Sequence, residues 1–247
     1  MNSIRAIFKV VPGIIAALVL AAPATSIAEL AAGFDEALGA DGRPAEDKDR
    51  DAARQPRAVL DFLGIGADMT VLDVLASTGW YTEVLSAAVG SDGSVIAFNT
   101  IGRRDRSEAG ITAKAERLGN VKPVFAEVGG LDIGMEVDAA ITALNLHDLS
   151  NRGSEAVQLF LGDVMKALKP GGVFGVIDHE GVAGQDNAAL HRMEVSAAVE
   201  ALETAGFVVE EVSNVLDNPA DDHSLPQWDE SLGRNTDRFL IRARKSE

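Results

Sequence analysis

Seven apolar runs rich in Val, Ile and Phe punctuate the chain: MTVLDVLA, SVIAFN, VKPVFAE, VDAAITALNL, GGVFGVIDH, FVVEEVSNVL and FLIRAR. Most of the gaps between them carry helix-like segments. Strands that alternate with helices predict a parallel sheet covered on both faces. The last two runs are different, because DNPADDHSLPQWDESLGRNTD between them lacks helical periodicity. The final strand is therefore expected to return as an antiparallel hairpin partner. Ahead of the fifth run, KALKPGGVFGVID predicts a helix that ends with Lys169 and is stopped by Pro170, with Gly171 and Gly172 turning the chain into the strand.

Upstream of the first run the pattern is polar. The stretch DGRPAEDKDRDAARQPR alternates in sign and has no apolar face. It predicts a linker or cap over residues 29–50, with helix starting near AVLDFLGI and one domain over 51–247. The first residues differ again: Arg5 and Lys9 precede an apolar stretch from Val10 to Ala24, and SIA ends at Ala28. Residues 1–28 read as a cleaved secretory signal. The competing reading, an uncleaved membrane anchor, needs about 20 consecutive apolar residues, and this run is shorter and broken by Pro12, Gly13 and Pro23. The expected location is the periplasm of a two-membrane cell, or otherwise the exterior. No stable membrane association is expected after cleavage.

Composition narrows the partners. The chain has 247 residues, 47% of them hydrophobic, and a formal net charge of −16 that becomes −18 once Arg5 and Lys9 are removed. Such acidity repels phosphate backbones, so nucleic acid is not an expected partner, and a small molecule is. With no cysteine, disulfides and thiolate metal ligands are excluded.

Candidate chemistry begins at the exit of the first strand, LDVLASTGWYTEVL. In open parallel sheets, ligands bind outside the carboxyl ends of the strands, where a small-residue turn lets the backbone approach them. Ala76, Ser77 and Gly79 are small, whereas Leu75 is not. The turn alone is compatible with an ordinary strand-turn-helix.

The wider pattern resembles class I S-adenosylmethionine-dependent methyltransferases: seven strands with the last antiparallel, an acidic residue at the end of the first, and LKPGG before the fifth. More narrowly, GRPAEDKDRDAARQP, GWYTEVLS, LHDL, LKPGGVFGVIDH, LHRME, NPADDHS and GRNTDRF resemble an exported branch of predicted methyltransferases. The likeness runs from Gly42 to Arg244. It implies a Rossmann-like α/β fold with helices on both faces and S-adenosylmethionine as cofactor. Asp73, Ala76, Ser77, Gly79, Tyr81, Asn99, Glu127 and Asn145 would then be its contacts. The family's usual loop is DxGxGxG, and here Leu75 and Ser77 occupy the first two glycine positions. At the end of the second strand the family's acidic residue is replaced by Asn99, which accepts with one oxygen only.

Four histidines complete the reading: His147 after the fourth strand, His179 ending the fifth, His191 opening the next helix and His223 in the hairpin loop. On the expected topology all four face one cleft, accompanied by Asp148, Asp178, Asp221 and Asp222, with Arg192 beside His191 on the substrate rim. Imidazole titrates near neutral pH and suits a general base for methyl transfer. His147 is the expected base, oriented by Asp148 or Asp178, with His179 near the reaction, and His191, Arg192, Asp222 and His223 as the substrate rim. A second reading makes His147, His179 and His223 with Asp178 or Asp222 a mixed metal site, although no metal-ligand spacing is present. Two further functions compete: an exported, non-catalytic ligand-binding module on a degenerate methyltransferase fold, and a nicotinamide-dependent oxidoreductase. The missing GxGxxG and the antiparallel last strand count against the oxidoreductase.

Overall fold

The computed structural model describes residues 28–247. The expected signal segment therefore lies outside the described residues, apart from Ala28. Each apolar run forms a strand: β1 (Thr70–Val74), β2 (Ser94–Thr100), β3 (Val121–Ala126), β4 (Val137–Ala143), β5 (Leu168–His179), β6 (Phe207–Ser213) and β7 (Arg238–Lys245). They make one sheet in the order β3-β2-β1-β4-β5-β7-β6. Neighbours from β3 to β5 pair in parallel, and β7 is inserted antiparallel between β5 and β6. This is the Rossmann-like class I methyltransferase fold.

Successive side chains of a strand point to opposite faces, and β1 shows the consequence. Leu72 and Val74 enter a core with Phe98, Phe160, Phe174 and Phe239, while Val71 enters the opposite core with Leu60, Val84, Ile141 and Leu240. By the same alternation Asp73 points to the face of Val71.

Ten helices cover the sheet among the described residues. Four precede β1: α1 (Phe34–Gly39), α2 (Ala45–Lys48), α3 (Asp51–Arg54) and α4 (Pro56–Leu63). The others are α5 (Trp80–Val89), α6 (Arg104–Leu118), α7 (Leu146–Ser150), α8 (Ser154–Ala167), α9 (Asn187–Leu190) and α10 (Val195–Thr204). None of them is long and apolar enough to cross a membrane.

The segment before β1 is held by buried contacts. Phe34 joins the core of Leu60 and Leu85, and Trp80 Nε1 donates to the Asp47 carbonyl at 2.8 Å. Lys114 of α6 bridges the Asp47 and Glu83 carboxylates, and Arg117 donates to Glu83 at 2.6 Å. Ion pairs so enclosed fix geometry more than they stabilise, because desolvation offsets most of their attraction.

Two local expectations are corrected. Helix α8 ends at Ala167, not Lys169, and Leu168 already pairs with Val137. Pro170 explains this, since a residue before proline is driven out of the helical region, so Lys169 must be extended. The Lys-Pro-Gly-Gly stretch becomes an irregularity inside β5, with the register shifting between Val137 and Ala139. His191 closes α9 in a left-handed conformation, φ 50°, and does not open the next helix, which starts at Val195.

Candidate active site

The β1–α5 turn is the centre of the site. Leu75, Ser77 and Gly79 have φ of 59°, 55° and 86°. The three alternate positions of the glycine pattern thus keep left-handed backbone although two carry side chains. Left-handed φ in a residue with a β-carbon is strained by about 1–2 kcal/mol, and such strain persists where surrounding contacts impose it. Here Asn99 imposes it. Its Oδ1 accepts from the Ser77 amide at 2.7 Å, and its Nδ2 donates to the Ser77 carbonyl at 3.0 Å. Asn99 therefore braces the loop, with its side-chain oxygen and nitrogen both engaged by the Ser77 backbone. At Gly79 a β-carbon would stand 2.6 Å from Ile111 Cδ1, so that side chain would have to shift, in addition to the backbone strain.

Cavities flank this turn on both sides. One, of about 220 Å³, lies against Asp73, Ala76, Ser77, Tyr81 and Arg54. The other, of about 320 Å³, lies against Thr100, Gly102, Glu127, Asp148 and Leu149. Leu75, Arg103 and Asn145 line both, so the two form one groove across the loop. Asn145 is itself fixed by donating to the Ala143 carbonyl at 2.8 Å. Tyr81 packs edge-on against Trp80 at 4.6 Å, and Arg54 lies 4.7 Å over the Trp80 ring.

Asp73 is buried, and Thr82 Oγ1 donates to it at 2.6 Å. Burial raises its pKa from 3.8 to about 7, against the opposing Thr82 hydrogen bonds and the Arg54 charge. A buried carboxyl poised near neutrality beside a cleft marks a functional position, because any cation arriving there shifts it to the charged form.

Beyond Leu144 and Arg54 a third cavity, of about 350 Å³, opens toward His179, Trp228 and Arg238. Of the four histidines, His179 lines it. The rings of His179 and His191 each stand 5.5 Å from that of His147. His147 Nδ1 lies 2.6 Å from Asp178 Oδ1, while its backbone amide donates to Asp178 Oδ2 at 2.8 Å. Burial lowers the His147 pKa, but the hydrogen bond and charge of Asp178, joined by Asp148, outweigh it and leave the pKa raised. His179 is the opposite case. Burial, reinforced by Arg238, His147, Arg192 and Arg54, pushes it down to about 2, so it stays neutral; its Nδ1 meets Thr236 Oγ1 at 2.6 Å.

The rim differs from the expected one. Arg192 is buried and its Nη2 donates to both carboxylate oxygens of Asp221 at 2.9 Å, which locks the hairpin loop and leaves neither residue free for a substrate. Asp222 is exposed and is held by Ser224. His223 is turned to Asp237 at 2.8 Å, away from the other three imidazoles. The donors that do converge are His147, Asp148 and His191, all within 4.8 Å of one another, which is not the expected metal set.

Arg54, Arg103, Trp228, Arg234 and Arg238 line the cavities and were given no role from the sequence. A signal existed for the first: Arg50 and Arg54 are four residues apart, the spacing that brings side chains together on a helix.

Comparison with known proteins supports the architecture. No family model matches the chain, and no curated protein matches it. Solved structures do. A SAM-dependent methyltransferase from Aquifex aeolicus aligns at 24% identity and TM-score 0.57, covering 82% of this chain and 98% of that one. The N-methyltransferase NodS from Bradyrhizobium japonicum WM9 aligns at 15% and 0.56, covering 81% and 97%. The (4+2)-cyclase SpnF aligns at 19% and 0.60, covering 84% of each chain. At these identities the likeness establishes the fold, and SpnF shows that the fold is not confined to one reaction.

Proposed function

We propose that the chain is an exported S-adenosylmethionine-dependent methyltransferase acting on a small acceptor. The observation that carries this reading is the β1–α5 turn, whose backbone keeps the glycine conformation at Leu75, Ser77 and Gly79 and separates two joined cavities. The residues present fit the donor. Glu127 offers a carboxylate to ribose hydroxyls on one side, and Asp73 offers a poised acid to the amino acid end on the other. Bound there, the donor supplies an electrophilic methyl group on a sulfonium.

The chain's own residues do the rest. Leu75 and Asn145 set the position of the groove between the two cavities. The cavity of His179 and Trp228 receives the acceptor, since it meets the donor groove at Leu144 and Arg54. His147 takes the acceptor's proton, and Asp178, hydrogen bonded to both its ring and its amide, fixes the imidazole and supports the positive charge it gains. Because the His147 pKa is raised, turnover should increase with pH as the imidazole loses its proton.

The test is direct. Purified protein titrated with S-adenosylhomocysteine should show saturable heat and a higher melting temperature. His147→Ala should abolish methyl transfer while keeping this binding. Wild-type turnover by that variant would remove His147 from the mechanism, and binding of the product without turnover on any acceptor would identify a ligand-binding module. Export is checked by sequencing the amino terminus of the secreted or periplasmic protein, expected at Glu29.

A further inference from the structure

The acceptor cavity has an unusual charge. Arg50, Arg54, Arg234 and Arg238 line it together with neutral His179 and Trp228, and no carboxylate among the described residues does, in a chain whose formal net charge is −16. Arg50 is neutralised by Asp47. The others are not. Arg238 is only 2% exposed, yet its guanidinium donates only to neutral oxygens: the Thr236 hydroxyl and the carbonyls of Ala53 and Arg234. Arg54 is stacked over Trp80, which fixes its plane without cancelling its charge.

Three nearby carboxylates are engaged elsewhere. Asp221 is bound by Arg192, Asp237 by His223, and Asp178 by His147. Among the described residues none stands within ion-pair distance of Arg54, Arg234 or Arg238. Of these, Arg238 is a buried charge without an ionic partner, which is strongly unfavourable, so the arrangement calls for an anion from outside. Guanidinium groups present parallel donors that match carboxylate and phosphate oxygens. Arg50 and Arg54 also face the donor groove, whereas Arg234 and Arg238 face only this cavity. Trp228, 56% exposed and edge-on to His191 at 4.8 Å, adds a flat apolar surface.

We propose that the methyl acceptor is a small planar molecule bearing an oxyanion, carboxylate or phosphate, held by Arg238 and Arg234 with its body against Trp228. This rests on the methyltransferase reading for the word acceptor, but the anion site itself does not. Burial holds His179 neutral, and the charges of Arg238 and Arg54 act in the same direction.

Calorimetric titration of the full mature chain, with S-adenosylhomocysteine added first to saturation, tests it. The probes are benzoate, phenyl phosphate, neutral benzamide and cationic benzyltrimethylammonium. At least one of the two anions should bind ~10-fold or more tighter than benzamide, and the tighter of the two identifies the head group. Arg234→Gln, at an exposed position, should weaken that anion roughly 10-fold with S-adenosylhomocysteine affinity unchanged; Arg238→Lys, which keeps charge but loses the fork, should do the same. Equal binding of benzamide, a preference for the ammonium, or wild-type anion affinity in Arg234→Gln would overturn the proposal. Product binding without anion preference removes this inference alone. Anion preference without product binding removes the methyltransferase reading and leaves an oxyanion-binding cavity.

Discussion

Asp73→Asn separates the chemistry of the turn from its packing. The wild-type carboxyl has a pKa near 7 in the folded chain against 3.8 when unfolded. Between those values the folded chain holds a proton that the unfolded chain has released, so its contribution to stability is intact below pH about 4 and is lost as pH rises through about 7. Each tenfold difference in proton affinity between the folded and unfolded chains corresponds to about 1.4 kcal/mol, so the full loss is about 4 kcal/mol. Asparagine keeps an oxygen for the Thr82 hydroxyl and has nothing to titrate. Unfolding free energies from urea melts at pH 4, 6, 7 and 8 should therefore diverge. The variant should gain about 4 kcal/mol on wild type across the series, most of it between pH 5 and 7. Other titrating groups are common to both proteins and cancel in the difference. Parallel curves would show that Asp73 is ionised as readily as an ordinary aspartate and that the site holds no poised acid. Saturating S-adenosylhomocysteine, whose ammonium favours the charged carboxylate, should flatten the wild-type slope.

Two substitutions test the strained backbone. Ser77→Gly relieves a left-handed residue whose side chain is exposed, and after glycine's entropy is subtracted it should raise stability by up to about 1 kcal/mol, whereas Ser77→Ala should give no gain in the same chemical melts. Asn99→Asp introduces the acidic residue usual in class I methyltransferases, but it sets a carboxylate oxygen against the Ser77 carbonyl where an amide now donates; stability should fall by about 1–3 kcal/mol, and an unchanged melting midpoint would contradict the bracing role.

Much of the fold was legible because sheets written in apolar runs announce themselves locally. All seven runs became strands, and the unpatterned loop before the last did return it antiparallel. The departures had local causes too: Pro170 ended α8 early through Lys169, and the left-handed His191 closed a turn that its neighbours suggested would open one. The site was less legible. Asn99 stood at a position read through a resemblance to class I methyltransferases, and its partner is the Ser77 backbone, a contact that composition does not encode. Arg192 was read as a rim residue and Asp221 as a companion of the histidines, but they satisfy each other inside the protein. Arg238 donates to the carbonyl of Ala53 across 185 residues, and no periodicity carries a contact of that span.

The residues before β1 acquire a meaning from these contacts. A sheet of this kind is shared by chains with different chemistry, and its strand ends form an open ledge. Arg50 and Arg54, anchored beside Asp47 and Trp80, turn that ledge into a room with a fourth wall. The folded unit is consequently longer than the alternating pattern that first identified it. A fragment cut to begin at the first strand would lose the enclosure together with Leu60 and Leu63, which cover one face of the sheet, and the ligand preferences of two otherwise similar sheets would diverge by what is laid over them.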